Sequence, residues 1–165
     1  PETVDVEHNI INIKILLKAL FKRMDKLNII ITKSNADTNS KIISDEFNNL
    51  AKLFPKKIFL VDSLGRRNYI STLKKCRFVI GNSSSGIIEA ASFGKWVIDL
   101  GKRQMSRITS GNVINIKYKL KDILNNIDLL YDKKESFKGE NIYYKKNTSE
   151  KIINIISRIN GPLTQ

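Results

Sequence analysis

Residues Val79 to Gly94 read VIGNSSSGIIEAASFG. A β-branched apolar run ends in Gly81, three serines stand between Gly81 and Gly86, and a helix-like segment starts at once. Strand, glycine-bounded turn and helix in that order form the unit from which parallel α/β sheets are built. The same alternation of periods extends outward along the chain.

Upstream, residues 6–23 carry Ile10, Ile13, Leu16, Leu17 and Leu20 at helical spacing, with Lys14, Lys18 and Lys22 between them. Residues 28–31 form a short β-branched run that reads as a buried strand. Residues 40–54 return to a helical pattern, with Ile43, Phe47, Leu50 and Leu53 or Phe54 inward, and Pro55 stops it. A strand over 58–61 and a helix over 66–76 lead into the strand 78–81. Downstream the pattern predicts a helix over 85–93, strands over 96–100 and 112–116, and helices over 119–132 and 148–160. The last helix carries Ile152, Ile153, Ile155, Ile156 and Ile159, a broad apolar face. Residues 133–147 read as an irregular surface loop.

Short, wholly apolar strands separated by helices predict one α/β domain over 1–165, a parallel sheet with helices on both faces and right-handed crossovers. Ligands of such sheets bind at the carboxyl ends of the strands. The loops to watch are therefore 32–39, 62–67, 81–86 and 101–111.

Composition narrows the classes. At 165 residues with 41% hydrophobic content the chain can bury a real core. No run approaches the roughly 18 apolar residues of a membrane span, and PETVDVEH has no signal-peptide pattern. It also lacks an initiator Met, so the expectation is a portion of a longer polypeptide. One cysteine, Cys76, excludes an internal disulfide and fits a reducing, cytoplasmic setting. Its neighbours Lys75 and Arg77 are of the kind that lower a thiol pKa, but a structural thiol is the expectation. His8, the single histidine, cannot build a zinc site with one cysteine. The net charge of +13 is spread over scattered lysines, without a zinc finger, a basic zipper or an RNA-binding aromatic signature. It suits a phosphorylated small molecule better than a nucleic acid.

Three kinds of chemistry compete for the serine loop. A nucleophile elbow needs G-x-S-x-G, but position 85 is Ser, and His8 precedes the serines. A P-loop needs Lys and Ser/Thr after its second glycine, where Ile87 and Ile88 stand instead. What survives is a hydroxyl-lined helix start, whose N–H groups and dipole attract anions. A single capping serine would satisfy the helix; three in a row favour an anion site. Glu89 is a carboxylate suited to sugar hydroxyls, as in dinucleotide folds, or a helix-dipole carboxylate. Lys102, Arg103 and Arg107 in GKRQMSR suit phosphate, or form a solvated basic loop. The residues alone reach a nucleotide- or sugar-phosphate-binding α/β domain.

The stretches SNADTNS (34–40), SLGRRNYISTLKKCRFVIGNSSSGIIEAASFG (63–94), GKRQMSR (101–107) and NTSEKI (147–152) together resemble the C-terminal half of UDP-N-acetylglucosamine 2-epimerases. They look most like the hydrolysing, sialic-acid-type branch. The resemblance implies a Rossmann-like half of a GT-B type fold that grips UDP. It implies Ser83 and Ser84 on the diphosphate, with Ser85 and the Gly86 amide, Glu89 on the ribose, and Arg103 on phosphate or sugar. It also implies Asn35 on the nucleotide and backbone of Ser63 or Leu64 against the uracil. No metal or redox cofactor is implied, and the acid–base groups would belong to an N-terminal domain, leaving no catalytic residue in this chain. A homodimer is the family habit. The chain departs from the family pattern at Asn39, Ala91 and Lys102, where Gly, Pro and often Asp are usual. The rival readings are the donor-nucleotide domain of a GT-B glycosyltransferase and a basic nucleic-acid binding domain.

Overall fold

A computed structural model describes residues 6–32 and 40–159. Asn35 and the rest of the 33–39 loop lie outside the described residues. The elements are α1 (Val6–Phe21), β1 (Ile29–Thr32), α2 (Ser40–Leu53), β2 (Ile58–Val61), α3 (Gly65–Lys75), β3 (Phe78–Gly81), α4 (Ser84–Ile88), β4 (Trp96–Leu100), β5 (Val113–Ile116), α5 (Leu120–Asp132) and α6 (Thr148–Ile156). A 3-10 turn, Ala90–Phe93, follows α4. Each agrees with the pattern read from sequence to within a few residues, save the helix over 85–93, which breaks.

All strand pairs are parallel. β1 lies on β2 with Ile29 opposite Ile58. β3 lies on β4 with Gly81 opposite Asp99, and β4 on β5 with Leu100 opposite Ile116. The hydrogen bonding divides the expected sheet into a two-stranded and a three-stranded ladder, β1-β2 and β3-β4-β5. Side chains nevertheless join the two. Ile29, Ile31 and Ile58 of one ladder and Ile80, Ile98 and Leu100 of the other share a single core with α1, α2 and α5.

The alternation of strand side chains sorts the helices. Phe78, Ile80, Ile98, Leu100, Ile114 and Ile116 face the large core. Val79, Val97 and Val113, between them in sequence, face a smaller cluster with Leu73 of α3 and Ala90 of the 3-10 turn. β4 is therefore covered on both faces, which explains a strand apolar along nearly its whole length.

On α1 the buried stripe is Asn9, Asn12, Leu16, Ala19 and Leu20, while Ile11 is 56% exposed. The expected Ile10 and Ile13 are only half-buried. The two asparagines share the i, i+3, i+4 row of the leucines, so the helix turns an amide pair inward. Arg23, just past α1, donates to both carboxylate oxygens of Asp128 on α5, at 2.7 and 2.6 Å. That pairing holds the Asp128 carboxyl below its ordinary pKa.

Residues 133–147 are irregular, as expected, but they are tied down as a strap. Trp96 Nε1 donates to Glu135 O at 3.1 Å, and Phe137 N–H donates to Gly94 O at 2.9 Å. The Phe137 ring packs edge-on against Trp96 with centroids 5.5 Å apart. Gly94, with φ +67°, is left-handed, and a Cβ there would stand 3.1 Å from Phe137 O. Glycine at 94 serves both the turn and the seat of the strap. The isoleucines of α6, and Ile159 just beyond it, by contrast remain 50–65% exposed, Ile152 least and Ile159 most. Among the described residues no helix is long and apolar enough to cross a membrane.

These burials set different costs for similar truncations. Ile98→Ala, at a fully buried position of β4, should destabilise by about 2–5 kcal/mol in denaturant titration. Ile153→Ala, 64% exposed on α6, should stay within about 0.5 kcal/mol of the parent in the same measurement.

Candidate nucleotide site

The serine loop lies at the carboxyl end of β3, as a parallel sheet requires of its ligand loops. Gly81 has φ +148°, a conformation that side chains disfavour, yet a Cβ there would meet nothing within 4 Å. Backbone geometry, not crowding, calls for glycine, and the space over it is open. Ser83 has extended backbone and caps α4: its Oγ accepts the Ser85 N–H at 3.4 Å. The Gly86 N–H is engaged within the turn, donating to Ser83 O at 3.1 Å. Gly86 is buried, and a Cβ on it would stand 3.0 Å from Val97 Cγ1, so its main contribution is close packing of α4 on β4.

The hydroxyls are not equivalent. Ser83 is exposed and Ser84 half-buried. Ser85 Oγ shares a short hydrogen bond with the Tyr69 hydroxyl, which reaches across from α3. Burial pushes the Tyr69 phenol above its ordinary pKa, the Ser85 contact opposes that shift, and the charge of Glu89 adds to it. Tyr69 is thus neutral at physiological pH and available as a donor. Nothing in the helical pattern of 66–76 distinguishes it from a core aromatic, so the sequence did not reveal its role.

Glu89 is half-buried at the junction of α4 and the 3-10 turn. The helix expected over 85–93 breaks here for an identifiable reason. In a continuous helix the Ile88 carbonyl would accept from Ser92 N–H. Instead Asn141 of the strap donates its Nδ2 to Ile88 O at 2.9 Å and contacts Ser92 Oγ at 2.6 Å, while Ser92 N–H turns to Glu89 O at 3.0 Å. A residue 53 positions away therefore decides the backbone at Glu89.

The loop after β4 closes the other side. Arg103 is exposed, whereas Gln104 is buried and donates its Nε2 to Asn82 O in the serine loop at 2.9 Å. Two of the basic candidates, Lys102 and Arg107, are exposed as well. Asp99, opposite Gly81 and 2% exposed, accepts from Asn115 Nδ2 at 2.6 Å. Its place inside an apolar strand gives no sign of this in the sequence. In the loop after β2, Ser63 Oγ accepts the Gly65 N–H at 3.1 Å, so its side chain starts α3. Leu64 precedes that helix with its backbone in the α region.

The structure therefore brings Ser83, Ser84, Ser85, Gly86 and Glu89 together with the Arg103–Gln104 loop through the Gln104 bond, and joins α3 through Tyr69. Among the described residues, no hydrogen bond joins Ser63 or Leu64 to the serines. A shallow concavity lined by Asn48, Lys52, Pro55 and Asp62 lies between α2 and β2, away from this cluster. Cys76 is a half-buried thiol, in keeping with the structural role expected of it. Burial raises its pKa, with Lys95 only partly opposing, and its Sγ donates to Leu73 O at 3.2 Å. The flanking Lys75 and Arg77 are not among the groups that move it, because adjacent residues on an element's end point away from one another.

The fold is that of a Rossmann-like α/β domain. The solved UDP-GlcNAc 2-epimerase of Methanocaldococcus jannaschii shares the fold with a TM-score of 0.64 at 18% identity, over 88% of this chain and 41% of that one. Residues 1–157 match the family profile described as UDP-N-acetylglucosamine 2-epimerase. The chain belongs to that family, as the serine loop and its neighbours implied. It is 35% identical over 131 residues to a GDP/UDP-N,N'-diacetylbacillosamine 2-epimerase (hydrolyzing) of Campylobacter jejuni, covering 78% of this chain and 33% of the relative. It is 30% identical over 159 residues to a polysialic acid biosynthesis protein of Escherichia coli, covering 94% of this chain and 40% of the relative. The chain thus spans about a third to two fifths of the length of these relatives.

The raised Cys76 pKa has a measurable sign. Its thiolate is scarcer at neutral pH than that of an ordinary cysteine, so alkylation of the folded chain at pH 7.5 should run slower than that of a free cysteine peptide. The rate should climb only as pH passes above the usual thiol range. Alkylation faster than the peptide would contradict the burial argument.

Proposed function

We propose that this chain is the UDP-binding half of a hydrolysing UDP-sugar 2-epimerase, a C-terminal domain working with an N-terminal one. The whole enzyme would convert UDP-N-acetylglucosamine and water to N-acetylmannosamine and UDP. The C2 proton and the UDP leaving group depart to give a 2-acetamidoglucal intermediate, and water then adds with inversion at C2. Removal and delivery of protons belong to the other domain. This chain's share is to hold the leaving diphosphate.

The single observation that carries the reading is the serine loop at the carboxyl end of β3, glycine-bounded and open above Gly81, in a chain of this family. In this reading Ser83 and Ser84 donate to the diphosphate, as oxygen-rich anions favour such helix starts. Ser85 contributes less, since its hydroxyl is already shared with Tyr69. Glu89, set on its broken helix by Asn141, accepts from the ribose hydroxyls. Arg103 adds charge from the facing loop, and Asn35 and the Ser63–Leu64 backbone complete the nucleotide contacts. The basic balance of the chain favours an anionic ligand. A cytoplasmic setting fits a single cysteine. A diacetamido sugar is the second substrate to consider, favoured by the Campylobacter jejuni relative's name.

Calorimetric titration of UDP into the chain tests the assignment. Ser84→Ala removes one donor to a charged group and should weaken UDP binding about tenfold or more. Equal affinity of parent and variant would remove Ser84 from the phosphate site. Glu89→Gln should leave that phosphate increment intact and erase the preference for UDP over its 2′-deoxy counterpart. The chain alone should neither epimerise nor hydrolyse UDP-N-acetylglucosamine; turnover by it would place the acid–base groups here instead. For the full-length protein, deuterium incorporation at C2 from heavy water is expected, and transfer of the sugar to an acceptor without it would favour a glycosyltransferase.

A further inference from the structure

Gln104 is 4% exposed, and its Oε1 is buried without a hydrogen-bond partner among the described residues. Its Nε2 makes one bond, 2.9 Å to Asn82 O, 22 residues away in the serine loop. A buried amide satisfied at one end and orphaned at the other is a poor stabiliser, because the unsatisfied oxygen keeps its desolvation cost. An apolar side chain of similar length would fill the same space without that cost. The consequence of Gln104 lies in what it orients.

The described peptide bonds include no cis bond, and a trans peptide sets the carbonyl of one residue opposite to the N–H of the next. Holding Asn82 O on Gln104 therefore turns the Ser83 N–H the opposite way, away from the Gln104 side of the loop. At the neighbouring Gly81 a Cβ would meet nothing within 4 Å. The Gly86 amide, meanwhile, is spent on Ser83 O, and the Ser85 amide on Ser83 Oγ. From these contacts we infer that Gln104 is a positioning residue whose bond to Asn82 O aims the Ser83 main-chain N–H as a donor to the diphosphate. This rests on the reading of the serine loop as the diphosphate site. It adds a named backbone donor, and it assigns the control of that donor to a loop on the neighbouring strand. A second buried amide with an orphaned oxygen, Asn112, makes a comparable bond to Lys95 O at the opposite end of β4. There it joins strand starts and faces no ligand loop, so it marks what the same chemistry does when it is only structural.

The test compares UDP with uridine on the full chain, by ligand-observed NMR with the Ser83 amide followed by 15N correlation spectra. Gln104→Met removes the donor at nearly constant length. It should lower UDP affinity about tenfold, the scale of one charge-assisted donor, and leave uridine affinity within about twofold. The Ser83 amide proton should move downfield with UDP in the parent and stay in place in the variant. Gln104→Leu, which also loses the donor and stays neutral, provides the same comparison if the methionine variant fails to fold. An unchanged ratio of UDP to uridine affinity overturns the inference, and so does a proportional loss of both ligands. A parent chain that binds UDP no better than uridine would instead overturn the diphosphate reading itself.

Discussion

Everything around the loop depends on how closely α4 approaches β4. Gly86 sits so near Val97 that a methyl group would be 3.0 Å from its Cγ1. That contact lets a five-residue helix lie flush on a strand buried on both sides, with Ile98 and Leu100 turned to one core and Val97 to the other. Because strands hardly shift in such a sandwich, the carboxyl ends of β3 and β4 stay in register, Gly81 opposite Asp99. The loops that leave those ends then face one another at hydrogen-bonding range.

The site is assembled from parts that hold each other. Tyr69 reaches from α3 to Ser85, Gln104 from the loop after β4 to Asn82, and Asn141 from the strap to Ile88. Each bond ends within a few residues of a candidate ligand group, and none of the three comes from the serine stretch itself. A short helix start held from three sides is preorganised, which suits the binding of a ligand better than a mobile loop would. The same arrangement explains why the serines differ: Ser83 caps α4, Ser85 is engaged by Tyr69, and Ser84 is half-buried between them.

Much of this was legible beforehand. Short, wholly apolar runs and period-3.6 patterns located the described strands and helices, since strands buried on both faces read as continuous apolar runs and helices as stripes. The glycine-bounded serines announced a turn from strand to helix, and the absence of Lys after Gly86 removed the P-loop reading. Where the pattern was read too simply, a polar contact intervened. Asn9 and Asn12 occupy a stripe that hydropathy assigns to isoleucines. Asn141 takes the Ile88 carbonyl and cuts a helix that propensity would continue.

The sequence by itself determined the elements, their parallel order, the family and the glycines without which the serine turn would be strained. Those follow from local sterics and from one-dimensional apolar periodicity. Only the tertiary structure decided which polar groups meet: Gln104 with Asn82, Tyr69 with Ser85, Asn141 with Ile88. A hydrogen bond acts over about 3 Å and depends on direction. Partners 16, 22 and 53 residues apart become neighbours only once the sheet has set its strand ends side by side.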